Sequence, residues 1–303
     1  MPAISDLTAY LTDPWASEFM VRALLALIMV SIVCAVMGSF VVVKGMAFIG
    51  DALAHASFGG VAVAFVLGGS IYLGAAVAAI ITSLAIAFLS RRAGLKFDTA
   101  IGIVFVGAFA LGILIISRQE GYIVDLTSFV FGNVLGVGQD DLILIAVIAA
   151  AVLLLVAAFY KELLFTAYDP TMAAAAGVPV AIMQYGLLAL IGLAIVVALK
   201  AVGIVLVVAM LVTPAATAQL LVRRLHLMMA VGAGVGALSS LVGLYVSYHA
   251  DVATSAAVVL TATVLFLLAF LFSPRRGLFW VRRPSILTKA EEGYGSPGQT
   301  IGG

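Results

Sequence analysis

Apolar residues run along this chain in blocks of about 20, the length that crosses a bilayer as a helix, separated by short polar or glycine-rich breaks. Windows of that length place spans at 20–43, 46–67, 71–90, 98–117, 141–160, 181–199, 201–221, 228–248 and 252–272. The pattern predicts an all-α, polytopic integral membrane protein with about nine transmembrane helices. Roughly eight to ten fit the same pattern if a segment is broken or re-entrant.

Successive loops must lie on alternate sides of the membrane. Placing Arg91, Arg92 and Lys96 in the cytoplasm forces Lys44, Lys161, Arg223, Arg224, Arg275, Arg276, Arg282, Arg283 and Lys289 to the same side, twelve of the 15 Lys and Arg. Only Arg22, Arg118 and Lys200 fall outside. This positive-inside bias predicts an external N-terminal segment (1–19), a transmembrane domain over 20–275, and a cytoplasmic tail (276–303). From Lys289 onward the tail is polar and Gly-rich, and it reads as largely disordered. The acidic opening, Met1 to Pro14, lacks the basic start of a cleaved signal.

Two stretches depart from the simple span. Residues 118–140 begin polar and continue into a short, Gly-punctuated apolar run, which predicts an interfacial or re-entrant helix. The seventh span contains Thr213-Pro214, where proline removes a backbone bond and should kink the helix, either for packing or to line a cavity.

Composition agrees with lipid solvation: 65% of the residues are hydrophobic and 10% charged, against about 25% charged in a soluble domain. A net charge of +1 gives no reason to expect nucleic acid as a partner. The single cysteine, Cys34, lies within the first span, which excludes an intrachain disulfide and a thiolate-rich metal site. No Gly-rich phosphate loop is present, so ATP hydrolysis would have to come from another subunit.

Against this apolar background Asp51 and His55 stand out. A carboxylate inside a span faces a partner, a water-filled cavity or a transported ion. Four residues apart, the two side chains share one helix face, and carboxylate with imidazole suits Mn, Fe or Zn. Ligation needs the neutral imidazole, so acid should weaken it. The competing reading is a structural acid with a core histidine. Asp251 and His249 lie at the outer junction of the last two spans, as a solvated helix cap or as a loading site for the ion. Asp98 reads as the N-cap of the fourth span.

The loop at 168–179 (YDPTMAAAAGVP) has the chemistry of a short capped helix. Asp169 can cap it, Pro170 fits the first turn, Ala174 and Ala175 help propagate it, and Gly177 can close it in the left-handed conformation. Such a helix either lies at the interface as a linker or accepts a docking partner.

Several stretches in order resemble the membrane subunit of the ABC transporter family that imports manganese, zinc or iron(II). They are 38–60 (GSFVVVKGMAFIGDALAHASFGG), 98–102 (DTAIG), 131–136 (FGNVLG), 168–179 and 202–218 (VGIVLVVAMLVTPAATA). The resemblance spans roughly residues 20–275. It implies an ABC importer permease fold in the bacterial plasma membrane, a homodimer of this subunit, and two cytoplasmic ATPases docked on 168–179 as a coupling helix. It also implies an external metal-binding protein and no permanently bound cofactor, with the metal as cargo. Stretches 207–218 and 131–135 look closest to manganese-type members, so manganese comes first, ahead of zinc and iron(II). The alternative of an ion-coupled secondary carrier would show inverted repeats and paired broken helices, which the sequence lacks. An intramembrane metalloenzyme would need a general base beside its ligands, and none is evident.

Overall fold

The structure, a computed structural model, describes residues 17–117, 132 and 134–273. Those residues form helices and turns with no strand among them. In chain order the helices are α1 (Glu18–Val43), α2 (Ile49–Val66), α3 (Ile71–Ala93), α4 (Phe97–Ile116), α5 (Gln139–Ala158), α6 (Tyr160–Tyr168), α7 (Pro170–Ala175), α8 (Val180–Leu221), α9 (Leu225–Ala250) and α10 (Thr254–Phe272). A 3-10 turn, Val134–Gly136, precedes α5.

Nine segments among the described residues are long and apolar enough to cross a membrane, and their bounds match the sequence-based spans to within a few residues. Helix α8 supplies two of the nine. As one straight helix its 42 residues would reach about 63 Å, twice the hydrocarbon thickness. The chain instead breaks at Gly203, whose φ of 77° and ψ of 169° are open to glycine and strained for other residues.

Hydrogen bonds show that α8 folds back on itself there. Near its start, Gln184 accepts a bond from Arg91 at the end of α3, and near its finish the Leu220 carbonyl accepts one from Ser273 just after α10. Lys44, at the end of α1, donates to the Thr166 carbonyl of α6. The turns after α1, α3 and α6, and both outer ends of α8, therefore gather at one end of the bundle. That end carries Lys44, Arg91, Arg92, Arg223 and Arg224. Gly203, the 3-10 turn and the α9–α10 loop lie at the other.

Helix α1 and the second half of α8 form the buried centre, while α4, α5 and α10 present mostly apolar outer faces. Close contacts depend on small residues. Gly60 of α2 and Gly74 of α3 touch backbone to backbone, so a Cβ on either would strike the other's carbonyl, as close packing in lipid favours. Buried hydroxyls bond to carbonyls of their own helix: Ser39 to Ala35, Ser57 to Leu53 and Ser240 to Gly236.

Three sequence expectations are refined or corrected, and others fall outside the described residues. The chain remains helical through Pro214, and the turn between the sixth and seventh spans, expected at residue 200, falls at Gly203. The fifth span ends at Ala158, and a separate helix, α6, follows where the sequence suggested only a connecting loop. Asp98 is not the N-cap of α4: Lys96 holds that position, and Asp98 sits inside the first turn, where its charge faces the helix N-terminus. The re-entrant segment falls mostly on residues outside those described, as do the N-terminal segment through residue 16 and the tail. Among the described residues of 118–140, Gly132 presses on the α8 backbone at Val202 and Gly203, and Val134–Gly136 form the 3-10 turn.

Candidate metal site

Helix α2 follows α1 after a tight turn, which places Asp51 in its first turn and His55 one turn later. The facing atoms, Asp51 Oδ1 and His55 Nε2, are 3.3 Å apart. An ion about 2.1 Å from each would see them roughly 104° apart, between octahedral and tetrahedral angles. The pair can thus chelate one divalent ion, and its bite alone does not choose among metals.

The imidazole is walled by two rings of α4. Phe109 meets it edge-on with centroids 5.5 Å apart, and Phe105 lies tilted at 5.8 Å. These rings restrict His55 to a pose beside Asp51. Sequence reasoning missed both phenylalanines. Their four-residue spacing was the available signal, but it is indistinguishable from ordinary lipid-facing or core aromatics in a chain with 17 Phe.

Within this chain the pair offers two donors. The Asp51 and His55 side chains remain 46% and 32% exposed. Among the described residues no group of three or more His, Cys, Asp or Glu is placed to hold an ion. For a metal that takes four to six donors, the remaining ones would have to come from water or another chain.

Asp251 and His249 do not join this pair. They sit at the end of α9, on the Gly203 side, whereas Asp51 opens α2 on the basic side. Asp251 ends α9 in the left-handed conformation (φ 51°, ψ 46°), with its N–H bonded to the Ser247 carbonyl. His249 packs against Tyr245 at 4.3 Å and Tyr248 at 5.2 Å, and its Nδ1 lies 3.1 Å from the Tyr245 carbonyl. The local geometry is that of a helix terminus with an aromatic cluster.

The 168–179 loop is the capped helix that its residues predict. The Asp169 carboxylate accepts the Met172 N–H at 2.9 Å, and Pro170 opens α7. Gly177 adopts φ 83°, and the Val178 and Gly177 N–H groups return to the Ala173 and Ala174 carbonyls, a Schellman closure. Only Ala173 of α7 is buried. Met172, Ala174 and Ala175 are exposed, beyond the ends of the spans.

Nine membrane-length helices among the described residues, with a carboxylate–imidazole pair on one of them and an exposed capped helix beyond the basic end, form a polytopic membrane protein. The chain belongs to the ABC 3 transport family, whose model matches residues 16–273. It is 46% identical over 275 residues to the manganese transport system membrane protein MntC of Halalkalibacterium halodurans, covering 91% of this chain and 94% of that one. A Haemophilus influenzae membrane protein named for iron transport is 39% identical, over 88% of this chain and 98% of its own. Among solved structures, PsaBC from Streptococcus pneumoniae in complex with Fab matches with a TM-score of 0.78 and 37% identity, covering 89% of this chain and 97% of that chain.

Proposed function

We propose that this chain is the permease subunit of an ATP-binding-cassette importer that carries a divalent transition-metal ion, manganese first, across the bacterial plasma membrane. The observation that carries the reading is the Asp51–His55 pair: two matched donors 3.3 Å apart, half exposed on the surface of one protomer. A second copy presenting the same pair would complete four protein donors around one ion, with water filling any remaining positions. Two carboxylates would then neutralise a 2+ charge, which is what moving such an ion out of water requires. Phe105 and Phe109 keep the imidazoles in place and limit the water around them.

The exposed α7 supports docking of one ATPase subunit per protomer on the cytoplasmic side, since it lies at the basic end that the positive-inside rule places there. Asp169, Pro170, Ala174, Ala175 and Gly177 form that contact. ATP hydrolysis belongs to those subunits. The N-terminus then lies outside and the C-terminus in the cytoplasm. Asp251 and His249, at the opposite end, face an external metal-binding protein that delivers the ion.

Manganese takes first place from the similarity to the manganese protein, and iron(II) is its nearest rival. Uptake of radiolabelled Mn(II) is measured in cells that lack this subunit, with and without its gene restored, against excess Fe(II) or Zn(II). Restored Mn(II) uptake that tenfold Fe(II) or Zn(II) leaves mostly intact supports the assignment. Preferential Zn(II) or Fe(II) uptake would overturn it.

A further inference from the structure

Helix α6 ends where α7 begins, and the junction contains a proline with a specific consequence. In a continuing helix the Thr166 carbonyl would accept the N–H of residue 170. Residue 170 is proline and has none. The vacant acceptor position is filled from elsewhere in the fold: Lys44 Nζ donates to the Thr166 carbonyl at 3.3 Å, across 122 residues of sequence. The ammonium also lies at the negative end of the α6 dipole, where a cation is favoured.

Each end of this bridge is stiffly connected. Lys44 caps α1, and the next two residues close it in a Schellman turn, with Gly45 N–H bonded to the Val42 carbonyl and Met46 N–H to that of Val41. Met46 is fully buried, and its carbonyl accepts the Ile49 N–H that starts α2. Asp51 follows two residues later. On the far side, the Thr166 hydroxyl bonds back to the Glu162 and Leu163 carbonyls, and Pro170 of α7 is four residues on.

Around the bridge the packing is loose. A cavity of about 460 Å³, lined by Val43, Ala167, Tyr168, Gln219, Arg223 and Met228 among others, separates the end of α6 from α8 and α9. Movement of α6 is therefore sterically open on that side, while its carbonyl is tied to Lys44.

We propose that Lys44 is a positioning residue: its bond to the Thr166 carbonyl is a strut that transmits displacement between the α7 docking helix and the turn carrying Asp51, and so couples ATP hydrolysis to release of the metal. This deepens the permease reading above and rests on it. Burial lowers the Lys44 pKa, because partial desolvation disfavours the ammonium. Below that lowered pKa the charged form carries this desolvation cost, against which the bond to the Thr166 carbonyl and the α6 dipole act.

The test uses the full permease reconstituted with its ATPase and metal-loaded binding protein, reading manganese moved per ATP hydrolysed. Lys44→Met keeps the length and apolar stem but loses the donor. It should lower that ratio about tenfold, the scale of a lost charge-assisted hydrogen bond. The ATPase should still co-purify, and the melting temperature should fall by no more than the few degrees that one unsatisfied carbonyl costs. Lys44→Arg keeps a cationic donor and should hold the ratio within about twofold of wild type. Pro170→Ala returns an N–H to compete for the same carbonyl, so it should uncouple in the same direction, and the double variant should be no worse than Lys44→Met alone. A wild-type ratio in Lys44→Met overturns the strut, as does an Arg variant as impaired as the Met variant or a Met variant that loses both stability and ATPase. Asp51→Asn serves as the control: if it transports normally, the metal-site reading fails, whereas a dead Asp51→Asn beside a fully coupled Lys44→Met overturns the strut alone.

Discussion

Replacing Asp51 with Asn keeps the side chain's size and removes one negative charge from the ion's first contact. A 2+ ion about 3 Å from a carboxylate gains about 2.8 kcal/mol even at the dielectric constant of water, and about 11 kcal/mol at the effective value near 20 that suits protein surfaces. Asp51 is 46% exposed in this chain, so the water limit is the appropriate lower bound. That bound is about a hundredfold loss of ion occupancy. Uptake of radiolabelled manganese at limiting concentration should therefore become undetectable. His55→Ala removes the nitrogen 3.3 Å from Asp51 Oδ1 and should have the same phenotype. Because both donors serve one ion, the double variant should be no worse than the more severe single one. Protein abundance should change little, since the pair is half exposed and α2 is held by Gly60 against Gly74 and by the buried Ile49 and Leu53. Normal uptake by Asp51→Asn at wild-type abundance would refute the argument, and the ion's path would have to be sought near Asp251.

Three further outcomes follow from the fold. Ala174→Asp with Ala175→Asp puts charge on the exposed face of α7 without touching a span, so ATPase co-purification and uptake should fall together; survival of both would remove α7 as the docking element. A reporter active only in the cytoplasm should work when fused after Gly303 and fail at the N-terminus, and the reverse result would invert the topology. Gly203→Ala forces a side chain into φ 77°, ψ 169° and should lose about 1–3 kcal/mol of stability, read as a lower melting temperature in detergent; an unchanged melt would show that the break does not need glycine.

The spans were legible because lipid imposes a length and an apolar composition that few other folds share, and a window of about 20 residues detects both. Asp51 and His55 were legible for the complementary reason: ionisable groups are expensive in that setting, so their presence carries information that it would lack in a soluble helix. The capped helix α7 was visible because Asp169, Pro170 and Gly177 act locally, each through its own backbone preference. The turn inside α8 was legible to within a few residues, since spans 181–199 and 201–221 leave a junction at 200 and the chain turns at Gly203. The residue that makes the turn was not legible, because one glycine among 30 carries no mark of its own.

The hardest feature to read was the link between the two candidate machines. Neither Lys44 nor Thr166 is unusual in its own stretch: a lysine after an apolar span reads as an orientation marker, and a threonine in a short helix reads as a back-bonded hydroxyl. The meaning lies in Pro170, which withholds a donor from a carbonyl four residues earlier, and in a tertiary fold that brings a cation from α1 to that carbonyl. A sequence reveals that a proline leaves an acceptor open. It cannot reveal which distant side chain fills it. Coupling contacts of this kind lie between locally coherent elements, so the metal pair and the docking helix could each be found alone while the contact between them required the fold.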